Sequence, residues 1–432
     1  MNKINNIFLK KKILIYGLGK SGISTYNFLR QKAKVNLFDD NPQNNLRFDK
    51  KSLSFTKILK CDFDFIIISP GIDFSKCKLS KYLKQNSSKV YTDLDVFYSF
   101  FGNDSVTITG TNGKSTTAKL LYDVLRDQKK DARLVGNIGN PILSEKKITK
   151  KTFFVIEASS YQLEYSKIFK SKYSVILNIT PDHIERHKNF KNYIEAKFRL
   201  LDSQTTQSVA FVKRNDPVII KKLRSKKYKQ KIIKIDTSLK TPIFKKIRNK
   251  YFMSSGNREN LIFVLKICQI LKLNEEKILR KINKFKGLKY RQQIIFYNNN
   301  LTIINDSKST SLASSENLLK NLKNVYWILC GIPKKKDKFN LTKFQCKSFK
   351  GYIFGKHQIE FIKNLKKKLT IKKFKNLKDT LNQIFFEIKY NKGKKNTILF
   401  SPAGASFDNF KNFEDRGFYF NQTLKKYLNE NR

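Results

Sequence analysis

With 432 residues the chain is too long for one ordinary core, and a hydrophobic content of 40% excludes wholesale disorder. Five scattered cysteines (Cys61, Cys77, Cys268, Cys330, Cys346) form no Cys-x-x-Cys pair and argue against a disulfide framework or zinc site, and only three histidines are present. The 89 basic and 34 acidic residues leave a net charge of +55, but lysines run the whole length, which reads as compositional bias rather than a dedicated nucleic-acid surface.

The basic N-terminus, Met1 to Lys12, leads into Ile13–Tyr16 and then glycines. That apolar stretch is too short for a signal peptide, and no apolar run reaches the roughly 18–20 residues of a membrane span. A soluble cytoplasmic protein is expected. Strands are predicted at Ile13–Tyr16, Lys34–Phe38, Phe65–Ile68 and Lys89–Tyr91, with helical or polar segments between them. A second series comprises Val106–Thr109, Phe153–Ile156, Val175–Asn178 and Val209–Val212, and closes with a helical stretch from Asn257 to Asn283. A third comprises Leu301–Asn305, Val325–Cys330, Gly351–Phe354 and Thr397–Ser401. Strands alternating with helices predict parallel α/β sheets, here in three units: 1–97, 98–287 and 288–432.

The strongest local signal is Thr107-Ile-Thr-Gly110-Thr111-Asn112-Gly113-Lys114-Ser115-Thr116-Thr117. A strand runs into a glycine turn and a helix beginning near Lys114, an arrangement that lets backbone amides and the helix N-terminus meet phosphate oxygens. Lys114 would bridge the terminal phosphates of a nucleotide, and the Ser115 hydroxyl would reach Mg²⁺. The G-x-x-x-x-G-K-S/T pattern is incomplete, because Ile108 stands at its first glycine. Near the N-terminus, Gly17-Leu-Gly19-Lys20-Ser21-Gly22 follows a strand, with Asp39 after the next one. Alone, this is a dinucleotide fingerprint and leaves open a nicotinamide-dependent oxidoreductase, although no hydride-transfer site accompanies it.

Gly110-Thr-Asn-Gly-Lys-Ser-Thr116 resembles the nucleotide loop of the Mur ligase family. Further matches follow in order: Glu157-Ala-Ser-Ser-Tyr-Gln-Leu-Glu164, Asn178-Ile-Thr-Pro-Asp182-His183, Ala196-Lys197-Phe-Arg199, Asn305-Asp306-Ser307-Lys308-Ser309-Thr310 and Ser401-Pro-Ala-Gly-Ala-Ser406 through Arg416-Gly417. The resemblance covers nearly the whole chain. It implies three domains: an N-terminal Rossmann-like UDP-binding domain, a central P-loop-type ATPase with a parallel sheet, and a C-terminal Rossmann-like domain. The implied activity is an ATP-dependent amide ligation in peptidoglycan precursor synthesis by a monomer, with UDP-N-acetylmuramoyl-L-alanine and D-glutamate as substrates. Another amino acid, including L-glutamate, stays open. A basic nucleic-acid-binding protein is the remaining alternative and would show a steep salt dependence.

The resemblance also distributes roles. ATP would be held by Gly110, Thr111, Asn112, Gly113, Lys114, Ser115 and Thr116, by Asn257 and Asn260 near the adenine, and by Arg291 and Asp306. Two Mg²⁺ ions would be shared among Ser115, Glu157, His183 and a carbamylated Lys197, with Lys114, His183 and Lys197 the catalytic set. Carbamylation needs a neutral lysine amine, hence a depressed pKa, which burial or nearby cations provide. Gly19, Lys20, Ser21, Asp39, Gly71 in Ser69-Pro70-Gly71-Ile72, and Asn137 would line the UDP-substrate site. Lys308, Thr310, Lys334, Ser406 and Phe413 would bind glutamate, lysines and hydroxyls being suited to a dicarboxylate. Three positions depart from the family pattern: Tyr290 for a histidine, Cys330-Gly331 for a glycine pair, and Gly404 for a small residue, commonly cysteine. Gly256 also replaces a histidine that often precedes the Asn257-x-x-Asn260 element.

Overall fold

A computed structural model describes residues 6–48, 50–238, 242–334, 337–390, 393 and 395–430. Three main sheets form along the chain. The first holds β1 (Lys12–Tyr16), β2 (Lys34–Phe38), β3 (Phe65–Ile68) and β4 (Val90–Tyr91), parallel in the order β2-β1-β3-β4. The second holds β5 (Ser105–Thr109), β6 (Ala132–Gly136), β7 (Phe153–Glu157), β8 (Tyr173–Ile176), β9 (Val209–Lys213) and β10 (Lys231–Ile235), all parallel in the order β10-β9-β8-β5-β7-β6. The third comprises β11 (Gln293–Tyr297), β12 (Leu301–Asn305), β13 (Val325–Leu329), β15 (Phe349–Phe354), β16 (Thr370–Phe374) and β17 (Asn396–Phe400), with β11 alone antiparallel. A short ladder pairs β14 (Ile332–Pro333) with β18 (Gly404–Ala405).

The central strands are buried on both faces, so they read as unbroken β-branched or apolar runs; every residue of β5 is buried. In the second sheet the order reverses at β5, with β7 and β8 on its two sides. The loops leaving β5, β7 and β8 therefore meet at a topological switch point, where doubly wound sheets take their ligands. The first sheet does the same at β1 and β3.

By compactness the chain divides into two units, residues 1–252 with 256–284, and residues 253–255 with 285–432. The first unit contains the first and second sheets, which share one core: Phe97 packs edge-on against Phe154 with centroids 4.8 Å apart. Asp95, fully buried, also joins them, accepting hydrogen bonds from the amides of Thr92, Lys167, Ile168 and Phe169. The second unit builds its core on both faces of the third sheet.

The observed elements differ from expectation at several points. The expected helix Asn257–Asn283 is two helices, Ser255–Ile270 and Glu275–Lys284, broken where Lys272 takes φ 51°. The strand expected to reach Asn178 ends at Ile176, because Asn178 turns both its carbonyl and its side chain to the β5 loop. Strands β6, β10, β11, β14, β16 and β18 have no counterpart among the predicted ones. Among the described residues no helix is long and apolar enough to cross a membrane.

Candidate active site

The loop after β5 is held in shape by its neighbours. Thr111 N donates to Asn178 O at 2.9 Å, Asn112 N to Asn178 Oδ1 at 2.9 Å, and Asn178 Nδ2 to Asn112 O at 3.1 Å. The Thr111 hydroxyl donates to Thr180 O at 3.1 Å and lies 3.0 Å from the Tyr193 hydroxyl. Gly113 takes φ +86°, and a Cβ there would stand 2.1 Å from Asn260 Oδ1, so only glycine fits. The helix that follows, Lys114–Asp127, begins without a side-chain cap, which leaves its first amides and dipole for an anion.

Two lysines converge on this loop. Lys114 Nζ donates to Gly110 O at 2.9 Å and Thr111 O at 2.8 Å. Lys197, on the helix Phe190–Asp202, is 1% exposed; its Nζ donates to the same Gly110 O at 2.8 Å and sits 4.6 Å from the Tyr193 ring centroid. Burial, then the charge of Lys114, lowers the Lys197 pKa well below the ordinary lysine value; Asp182 and Glu157 oppose this more weakly.

Glu157 closes β7 and is 1% exposed. Its Oε1 accepts from Asn137 Nδ2 at 2.9 Å, whereas its Oε2 is buried without a hydrogen-bond partner among the described residues. A buried carboxylate oxygen left so is unfavourable alone and fits a cation ligand. Ser115 is buried in the first turn of the loop helix. His183 takes φ 53°, with its Nε2 3.4 Å from Asp182 Oδ2 and its ring beside Tyr161. Among the described residues no three His, Cys, Asp or Glu side chains gather into a metal cage. Such sparse donors suit Mg²⁺, which usually keeps one or two carboxylates and takes its other oxygens from phosphates and water.

Asn257 and Asn260 are buried behind the loop. Asn257 Nδ2 donates to Tyr251 O at 3.0 Å, and the Tyr251 hydroxyl lies 3.4 Å from the Thr116 hydroxyl. In the first sheet, Gly22 lies so close to Gly17 that a Cβ on it would be 1.8 Å from Gly17 O. Gly19, Lys20 and Ser21 open the helix Lys20–Leu29. Asp39 accepts from Leu18 N at 2.6 Å and Asn41 N at 2.8 Å, so it braces the glycine loop. Gly71 is exposed in the loop after β3, and Asn137, after β6, donates to Glu157 Oε1.

The second unit has its own cluster. Lys308 Nζ stands 4.3 Å from the Phe413 ring centroid and Arg291 lies over the same ring at 5.8 Å. Asp306 is buried; Oδ1 accepts from Gln292 N and Oδ2 from the Ser401 hydroxyl, both at 3.0 Å, and burial raises its pKa to about 7. Arg416, fully buried, donates to Ser307 O and Gly404 O, each at 2.8 Å, tying the β12 loop to the β17 loop. Thr310 and Lys334 are exposed and Ser406 is buried. The β14–β18 ladder puts Lys334 and Ser406 beyond opposite ends of its two pairs, so it does not itself bring them together. Lys335 and Lys336, in the same run, lie outside the described residues.

Residues 11–90 match the Mur ligase MurD-like N-terminal domain, and residues 108–274 the Mur ligase middle domain. The chain is 31% identical to the UDP-N-acetylmuramoylalanine–D-glutamate ligase of Rickettsia felis, across 98% of its own length and 99% of that protein's. It is 32% identical to the ligase of the same name from Buchnera aphidicola, across 97% and 99%. The chain belongs to the Mur ligase family. Solved Mur ligases share the fold: MurF from Acinetobacter baumannii at TM-score 0.57 and 15% identity, covering 86% of this chain and 87% of that one, and the UDP-N-acetylmuramate–alanine ligase MurC from Thermotoga maritima at 0.52 and 16%, covering 96% and 100%.

The architecture is accordingly the three-domain α/β arrangement of a Mur ligase, and the glycine loop after β1 belongs to its first domain rather than to a nicotinamide enzyme. Tyr290, one of the departures, packs closely on Gly417, where a Cβ would stand 2.4 Å from its ring. Four residues without an assigned role brace the loops of the two candidate clusters: Asn178 and Tyr193 in the first unit, Ser401 and Arg416 in the second. Tyr193 was discernible, four residues before Lys197 on one helix and so on the same face.

Proposed function

We propose that this chain joins D-glutamate to the L-alanine carboxylate of UDP-N-acetylmuramoyl-L-alanine at the expense of ATP, in peptidoglycan precursor synthesis, as a cytoplasmic monomer. The observation that carries the reading is near-full-length similarity to curated ligases of that name. The convergence of Lys114 and Lys197 on Gly110 O, with Glu157 bearing on the charge of Lys197, supports it. Residues 1–97 would take the UDP-sugar, 98–287 the ATP, and 288–432 the amino acid.

The substrate carboxylate attacks the γ-phosphorus of ATP; the β–γ bridging P–O bond breaks, ADP leaves and an acyl phosphate forms. The glutamate amine then attacks the acyl carbon, loses a proton, and phosphate departs with the C–O bond electrons. Negative charge accumulates on phosphoryl oxygens in the first step. Lys114 and the amides of Gly110–Thr116 are set to stabilise it, since preorganised donors act strongly in a water-poor site. Mg²⁺, held by Ser115, Glu157, His183 and carbamylated Lys197, would supply further charge stabilisation and orient the phosphates. For the modification, the neutral Lys197 amine attacks CO₂, an N–C bond forms and one proton leaves, giving a carbamate anion; the lowered pKa favours the neutral amine. Lys308 and Arg291 present cations beside Phe413 that suit the carboxylates of glutamate.

The test is phosphate release from ATP with UDP-N-acetylmuramoyl-L-alanine and either D- or L-glutamate. Release that requires both the UDP-sugar and D-glutamate, and is lost in Lys114→Ala, is expected. Release with a different amino acid would keep the family and change the substrate, and no release with any amino acid would overturn the reading.

A further inference from the structure

Arg186 takes no part in the chemistry above, yet it is nearly buried where the first and second sheets meet. We infer that Arg186 is a positioning residue that fixes the Ser69–Ile72 loop, which would receive the UDP-linked substrate, against the turn that carries His183. The inference rests on the substrate reading above.

The Arg186 side chain is 10% exposed, and its polar contacts reach both parts of the unit. Nη2 donates to Ile72 O at 2.6 Å and Nη1 to Asp73 Oδ1 at 3.2 Å. The guanidinium lies over the Tyr161 ring at 5.3 Å. Nη1 is also 3.9 Å from Glu164 Oε2, a buried atom without a hydrogen-bond partner among the described residues. Arginine suits this place because a planar fork can meet a carbonyl, a carboxylate and a ring face together, whereas lysine offers a point charge.

These contacts bracket the loop. At its start the Ser69 hydroxyl donates to Gly17 O at 2.6 Å, fastening it to the glycine turn. At its end Arg186 holds Ile72 and Asp73, and Phe74 stacks on Tyr165 at 4.8 Å. Between them Gly71 is exposed, with nothing within 4 Å of where a Cβ would stand. The loop is thus anchored at both ends and open in the middle. Arg186 also ends three residues from His183, in the single turn Ile184–His187, whose flanking residues His183 and Lys188 take φ 53° and 71°. Non-glycine residues keep such angles only where their surroundings hold them. One side chain therefore sets the spacing between the substrate loop and His183, and a displacement of about 1 Å in a reacting pair costs on the order of 10²-fold in rate.

The experiment compares wild type with Arg186→Ala, Arg186→Lys and Asp73→Asn. It measures calorimetric binding of UDP-N-acetylmuramoyl-L-alanine without ATP, the KM of each substrate, and thermal unfolding. Removing a hydrogen bond to a charged group is worth about 1.5–3 kcal/mol, so Arg186→Ala should raise the Kd and KM for the UDP-sugar by about 10–100-fold. The KM for ATP should rise much less, because among the described residues Arg186 has no polar contact with the nucleotide loop and reaches the proposed metal set only through the His183 turn. Arg186→Lys should fall between wild type and alanine, and Asp73→Asn should show a smaller rise of the same kind. If Arg186→Ala fails to fold, the same selective rise in the other two variants decides the matter. Equal rises for all substrates, or unchanged UDP-sugar binding in folded variants, would overturn the inference alone. Wild type that does not bind the UDP-sugar would overturn the substrate reading and this inference with it.

Discussion

Glutamine in place of Glu157 keeps the side-chain shape and removes the charge. In the folded chain Oε1 is satisfied by Asn137 at 2.9 Å while Oε2 is buried and unpaired among the described residues. Leaving a buried polar atom unsatisfied costs about 1–3 kcal/mol, and more when it is charged. The glutamine carbonyl can keep the Asn137 bond, and a neutral amide then replaces the unpaired charged oxygen. The attraction of Glu157 for Lys197 is also lost, but it is the smallest of the four influences on that amine. Without metal, Glu157→Gln should therefore unfold at a higher temperature than wild type, by about 1 kcal/mol or roughly 2–4 °C. Its catalysis should fall by about 10²–10³-fold, because a cation's charge stabilisation at the phosphates is worth several kcal/mol. Thermal unfolding in EDTA, and again with Mg²⁺ and ADP, reads the first effect, and phosphate release the second. A variant less stable than wild type in EDTA, or one releasing phosphate at the wild-type rate, would falsify the assignment of Oε2 to a metal.

Lys197→Ala should lose about 10²-fold or more of the activity, and wild type prepared without CO₂ should lose activity that bicarbonate restores, as phosphate-release assays would show. Gly113→Ala forces a Cβ to 2.1 Å from Asn260 at φ +86°, so it should destabilise the chain by about 1–2 kcal/mol or more and raise the KM for ATP. Asp306 carries a folded pKa of about 7 against an ordinary value near 4. The folded state thus binds the extra proton, and the stability this group contributes is full below pH about 4 and is lost as pH rises through about 7. Asp306→Asn keeps the Gln292 and Ser401 contacts, so it should remove that slope and be the more stable protein above neutrality, measured by unfolding at pH 5 to 8. Phe413→Ala removes the ring beneath Lys308 and Arg291 and should raise the KM for glutamate more than that for ATP.

The legible part of the fold was its interior. Strands such as Val325–Leu329 and β5 are buried throughout and appear as apolar or β-branched runs. The unread main-sheet strands β6, β10, β11 and β16 are all sheet edges. An edge strand is covered on fewer sides and tolerates lysine, so Lys231-Ile-Ile-Lys-Ile235 and Thr370-Ile-Lys-Lys-Phe374 lose the pattern that marks a strand. In a chain with 89 basic residues that dilution falls hardest on edges. The site follows the same logic. The groups expected to meet phosphate sit in a short contiguous motif, whereas Asn178 and Arg416 hold a neighbouring loop's backbone and Ser401 donates to the buried Asp306 carboxylate, relations that local spacing does not encode.

The two loop lysines bear on how the proposed Mg²⁺ set would manage with few acidic groups. Gly110 O accepts from Lys114 at 2.9 Å and from Lys197 at 2.8 Å, so both amines crowd one carbonyl. Two full charges there would repel at short range in a site where water screens poorly. Burial, then the charge of Lys114, lowers the Lys197 pKa well below the ordinary lysine value. In the reading proposed above, Lys114 would serve the phosphates and Lys197 would be the amine that takes CO₂. Once carbamylated, Lys197 would turn from a neutral amine into an anion. The local charge would then become more negative, in the direction that favours Mg²⁺, without a further acidic residue from the sequence.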